Sequence, residues 1–147
     1  MKDQEYLDEI NKALLNFQMV EEALKICIGL SYEIIAKTIP ADMTFKFDPS
    51  SVNSAPLGNL IKMFLKISKN EVLISDLKKI VEWRNFCAHS AFSHEFLNRK
   101  SVSRFSEHSA QDLKKVVDFS SDLVLRLTNE IKDIRTIHIE VTTNQNA

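Results

Sequence analysis

Backbone breakers are almost absent from this sequence. Its 147 residues include only two glycines and three prolines, the residue types that most strongly punctuate regular structure. A chain so poorly supplied with turns is driven toward a few long, uninterrupted elements. The prolines are also gathered together: Pro40, Pro49 and Pro56 all fall at or inside one break, Thr38 to Ala55 with Pro56 at its edge.

The hydrophobic spacing says what those elements are. Leu7, Ile10, Leu14, Phe17, Leu24, Ile28 and Ile35 recur at three- and four-residue intervals, the signature of one amphipathic helical face. They predict a first helix over about residues 3–37, on the order of 50 Å long at about 1.5 Å per residue. Glu21 and Ser31 interrupt its stripe. The break that follows carries Asp48-Pro49-Ser50-Ser51, which is turn chemistry, and a loop of that length inside a compact domain is often functional. Leu57, Leu60, Ile61, Phe64 and Leu65 predict a short second helix ended by Ser68-Lys69-Asn70. Leu73, Leu77, Ile80, Val81, Cys87 and Ala88 predict a third over about 71–91. Ser93 to His108 is polar and basic. Leu113, Val116, Val117, Leu123, Val124, Leu127, Ile131 and Ile134 predict a fourth over about 109–135. In the tail, Ile137-His138-Ile139-Glu140-Val141 alternates with period two, as a short strand or a frayed end would. The expected architecture is all-α: a four-helix bundle with long loops after the first and third helices, one domain over residues 1–147, with its core at about 3–135 and a tail at 136–147.

Composition narrows the function classes. A chain of this length buries a core without disulfides or metals. Cys27 and Cys87 both sit in apolar helical stretches and read as reduced core thiols. Met1 to Asn11 is polar and acidic, unlike a signal peptide, and no apolar run approaches the roughly 18 residues of a bilayer span, so no membrane association is expected and the expected compartment is the cytoplasm. The formal net charge of −1 gives no global case for nucleic-acid binding. Its distribution is uneven. Residues 1–37 carry 4 basic and 7 acidic groups, residues 60–104 carry 9 and 4, and residues 105–147 carry 5 and 7. The positive balance falls on the third helix and the segment after it, and suggests an anionic ligand there.

Two charges stand where apolar side chains are expected. At about 100° per residue, Arg84 projects into the middle of the face defined by Leu73, Leu77, Ile80 and Cys87. A cation there costs several kcal/mol unless it is paired or reaches a wet cleft. Glu21 occupies the matching seam position between Phe17 and Leu24, so a structural Arg84–Glu21 ion pair is one reading. Asn85 and His89 supply a second. They are four residues apart, hence on one side of the helix, and flank the face that carries Arg84. A guanidinium, an amide and an imidazole within one and a half turns suit phosphodiester cleavage in RNA. The nucleophile is the substrate's own 2′-hydroxyl; histidine moves a proton near neutral pH, and arginine stabilises the phosphorane charge bidentately. Asn85 orients the phosphate or the hydroxyl. No metal or other cofactor is called for, and Cys87 and His89 point to different faces, unlike zinc ligands. Arg99, Lys100 and Arg104 are candidate phosphate contacts beside the cleft; His94 and His108 read as surface residues.

The segment Val81-Glu82-Trp83-Arg84-Asn85-Phe86-Cys87-Ala88-His89-Ser90 resembles the HEPN superfamily, whose small helical bundles carry Arg-x4–6-His, very often with Asn after the Arg. The run Pro56-Leu57-Gly58-Asn59-Leu60-Ile61 is similar to the second helix of several bacterial relatives. The resemblance implies a HEPN-type bundle and a metal-independent endoribonuclease of the toxin–antitoxin or phage-defence kind. It implies an RNA substrate, a homodimer with two Arg-x4-His motifs facing one cleft, and an antitoxin or other regulatory partner. By motif match, Arg84 would stabilise the transition state, His89 would act as acid or base, and Asn85 would support both. Some toxin members carry Tyr two residues after the His, where this chain has Ala91. The same two segments also resemble the mannitol operon repressor family, which implies a non-catalytic transcription regulator or protein-interaction module. Nuclease, regulator and purely structural ion pair remain three readings.

Overall fold

The computed structural model describes residues 2–96 and 108–146; Arg99, Lys100 and Arg104 lie outside them. Among the described residues the chain forms five helices and no strand: α1 Lys2–Thr38, α2 Pro49–Asn53, α3 Leu57–Leu65, α4 Glu71–Phe96 and α5 Ala110–Asn146.

Local chemistry starts and stops these helices. Asp48 caps α2 by accepting hydrogen bonds from the Ser50 backbone N–H at 3.0 Å and the Ser50 hydroxyl at 2.8 Å. Pro49 fills the first helical position, where its missing N–H costs nothing. So the expected long loop contains one short helix, and the buried Val52 ties it to the core. The segment before it is also held, because Phe45 and Phe47 pack on Tyr32 of α1 with ring centroids 5.6 and 5.4 Å away. Asn70 opens α4 by accepting the Leu73 N–H at 3.2 Å. Ser109 and Asp112 form a reciprocal capping box at the start of α5: the Asp112 N–H donates to the Ser109 hydroxyl at 3.1 Å, and the Ser109 N–H donates to the Asp112 carboxylate at 2.9 Å.

The pairing of side chains fixes the directions of the long helices. Glu5 meets Lys114, Asn16 meets Ser120, Glu33 meets His138 and Lys37 meets Thr142. Both partners advance together, so α1 and α5 run parallel over their full 37 residues each. Against α5, Asn70 meets Glu130 and Asp76 meets Arg126; here the partners run in opposite senses, so α4 is antiparallel to both. The core lies between them, with Ile10, Phe17, Leu24 and Ile28 from α1, Leu60 and Phe64 from α3, Leu73, Leu77 and Ile80 from α4, and Leu113, Leu123 and Leu127 from α5 all essentially sealed.

Three sequence expectations need correction. The tail is neither strand nor frayed: α5 continues to Asn146. His138 Nε2 lies 2.7 Å from Glu33 Oε2, Lys37 donates to Thr142 at 2.8 Å, and Gln145 donates to the Lys37 carbonyl, so α1 holds this end through polar groups while Ile137 and Ile139 stay exposed. The third predicted helix runs on to Phe96, since nothing between Ala91 and Phe96 breaks it. Finally, the Arg84–Glu21 pair forms but is not sealed in the core, with 39% and 19% of the two side chains exposed. Val20, fully buried, fills the layer between Phe17 and Leu24, and Glu21 flanks it.

Candidate functional site

α4 presents the motif because its apolar rows hold the helix in place from beneath. Ile80 and Cys87 are fully buried, and Ser90 is buried as well. Between them Arg84 turns outward, with 39% of its side chain exposed rather than sealed in the apolar face. The length of the arginine stem allows this, since methylenes can cover apolar surface while a guanidinium stays in water.

At that edge Arg84 Nε stands 3.5 Å from Glu21 Oε1, whose side chain is 19% exposed. The Arg84 Nη1 donates to Asn85 Oδ1 at 3.5 Å, a long contact. The structure therefore brings Arg84, Asn85 and Glu21 together. His89 is exposed on the same helix, about 7.5 Å further along the axis. Among the described residues no hydrogen bond or ion pair joins it to the other three. Guanidinium nitrogens not occupied by Glu21 and Asn85 remain for an anionic ligand, since arginine carries five donors. Asn85 is exposed and can serve the same ligand.

The thiols take no part. Cys27 and Cys87 are free and buried, and burial pushes their pKa values up to about 12 and about 11, far from a nucleophile's range. Among the described residues no group of three or more His, Cys, Asp or Glu side chains is placed to hold a metal ion, and no helix is long and apolar enough to cross a membrane.

One cluster was missed by the sequence reading. His108, read there as a surface residue, packs its ring at a tilt of 51° on Trp83, centroids 4.5 Å apart, and meets Phe86 edge-on at 4.7 Å. Trp83 and Phe86, three apart on α4, were legible as neighbours on one face. The approach of His108 was not, because it depends on how α5 docks. Compared with known protein families, curated proteins and solved structures, the chain matches none.

Proposed function

We propose that this protein is a metal-independent endoribonuclease of HEPN type, of the toxin–antitoxin or phage-defence kind, acting through Arg84 and His89. The observation that carries the reading is that both side chains reach solvent from one helix, with the Asn85 amide at the guanidinium. In the reaction the substrate's 2′-hydroxyl attacks phosphorus. His89 takes the hydroxyl proton, Arg84 stabilises the charge on the phosphorane oxygens, and the 5′-oxygen leaves with a proton. The products are a 2′,3′-cyclic phosphate and a 5′-hydroxyl. His89 then returns that proton to the leaving 5′-oxygen, in a cleft shared by two copies of the motif across a homodimer, with an antitoxin or regulatory partner controlling access.

The test is cleavage of total RNA in EDTA by wild type and by His89→Ala of equal thermal stability. Cleavage by wild type alone, leaving cyclic phosphate ends, is expected; equal cleavage by both proteins would remove His89 from the reaction. A second reading, a non-catalytic regulator on the same fold, is favoured by one observation: Glu21 already partly neutralises Arg84. The two separate at Glu21→Gln. A nuclease keeps or gains rate when the guanidinium is released to the phosphate. If no variant cleaves RNA, the regulator reading stands.

A further inference from the structure

A groove of about 540 Å³ opens between α4 and α5 on another side of α4 from the Glu21 contact. Rings line it from both helices and from the segment just before α5: Trp83, Phe119 and His108. Lys79 and Lys115 also line it, Lys79 with its Nζ 3.1 Å from Asp76 Oδ1, and so does Asp112, whose carboxylate accepts the Ser109 N–H at 2.9 Å. Trp83, His108 and Phe119 are each partly exposed, so the ring surfaces are neither sealed in the core nor fully presented to solvent. The volume falls in the usual range for small-molecule sites, about 300–1,000 Å³.

This combination has a specific chemistry. Flat aromatic walls accept a flat conjugated ring, and every nucleobase offers one. Ammonium groups in the lining attract a phosphate attached to that ring. A carboxylate on the wall accepts N–H groups from a base edge. The Ser109 backbone N–H, which already donates to one Asp112 oxygen, and the Ser109 hydroxyl lower the Asp112 pKa. An acyl chain would use the rings but not the carboxylate, and a bare anion would use the lysines but not the rings.

We propose that the α4–α5 groove is a nucleotide-binding subsite, in which a base stacks against Trp83 and Phe119 while Lys79 and Lys115 engage its phosphate. It deepens the ribonuclease reading, and rests on it for the choice of RNA: Trp83 and Arg84 are consecutive on α4 but about 100° apart around it, so a strand held in the groove would reach Arg84 by passing around the helix.

Trp83 is the chain's only tryptophan, so its fluorescence reports on the groove directly. The experiment titrates the full chain with AMP, with a short single-stranded oligoadenylate, and with ribose 5-phosphate. Saturable quenching by AMP and oligoadenylate, with none by ribose 5-phosphate, is expected. Phe119→Ala should weaken binding about tenfold. Lys115→Glu, an exposed change that leaves the core intact, should weaken it and reduce the salt slope by about one. Tighter binding of the oligonucleotide than of AMP assigns the groove to a strand; equal binding assigns it to a free nucleotide. Absence of saturable quenching, equal binding of ribose 5-phosphate, or displacement of AMP by polyglutamate would overturn the proposal. His89→Ala separates this proposal from the catalytic one, since it should bind as wild type does while losing cleavage. Wild type that cleaves RNA with no groove binding sinks the subsite alone; groove binding with no cleavage by wild type sinks the nuclease.

Discussion

Arg84 shows how a single side chain's position decides its energetics. Fully buried, a guanidinium paired with one carboxylate would be expensive to break, at about 3–5 kcal/mol. At the edge of the α1–α4 contact, with 39% of its side chain in solvent and its partner 3.5 Å away, water screens the pair. Arg84→Ala should therefore lower stability in urea by no more than about 1 kcal/mol; a loss of several kcal/mol would mean that the charge supports the fold. The buried thiols make a different prediction. Their pKa values lie at about 12 and about 11 in the folded chain, against an ordinary 9.0. Below 9.0 both states hold the proton and nothing is lost. Above it the unfolded chain releases protons that the folded chain keeps, so the stability these groups contribute declines as pH rises from 9.0 toward 11. Ellman's reagent should find no reactive thiol in the native protein at neutral pH and two after unfolding.

At the scale of the element, the ends of α5 are the informative parts. Its capping box satisfies backbone donors that the first turn leaves open. Ser109→Ala should cost about 1 kcal/mol in chemical denaturation. It should also loosen the His108 ring against Trp83, which tryptophan fluorescence would record. The other end tests whether the last turns belong to the structure. Removing residues 136–147 deletes the partners of Glu33 and Lys37, so hydrogen exchange should speed up over the last turn of α1 while the core amides keep their protection. Unchanged exchange near Lys37 would mean that the α1–α5 contacts do not persist in solution. The alternation of Ile137, Ile139 and Val141 was misleading here because a period of two over five residues is too short to outweigh a helix already running through Ile134.

For the whole molecule, the open question is how many copies make a site. One protomer presents one Arg84 and one His89, and no hydrogen bond joins them. If the proposed cleft is shared, mixing Arg84→Ala with His89→Ala should restore part of the cleavage that each variant lacks alone. A hybrid dimer keeps one intact arginine and one intact histidine facing the same cleft. Mixed protein as inactive as its parents, with hybrids verified by mass spectrometry, would confine the reaction to single chains.

By itself the sequence determined four of the five described helices and where they start, because three- and four-residue spacing and a shortage of glycine and proline leave few alternatives, but it missed the short α2 and ended α4 and α5 too early. It also placed Arg84, Asn85 and His89 on one helix, since that needs only local geometry. It could not decide which of two adjacent residues, Val20 or Glu21, enters the seam, because a stripe drawn at 100° steps is uncertain by about one position until a neighbouring helix is docked. Only the tertiary structure set α1 and α5 parallel, carried α5 through to Asn146, moved Arg84 to a solvent edge, and brought His108 against Trp83 to line a groove. Each of these depends on contacts between residues tens of positions apart in the chain, where the hydrophobic pattern of a single helix carries no information.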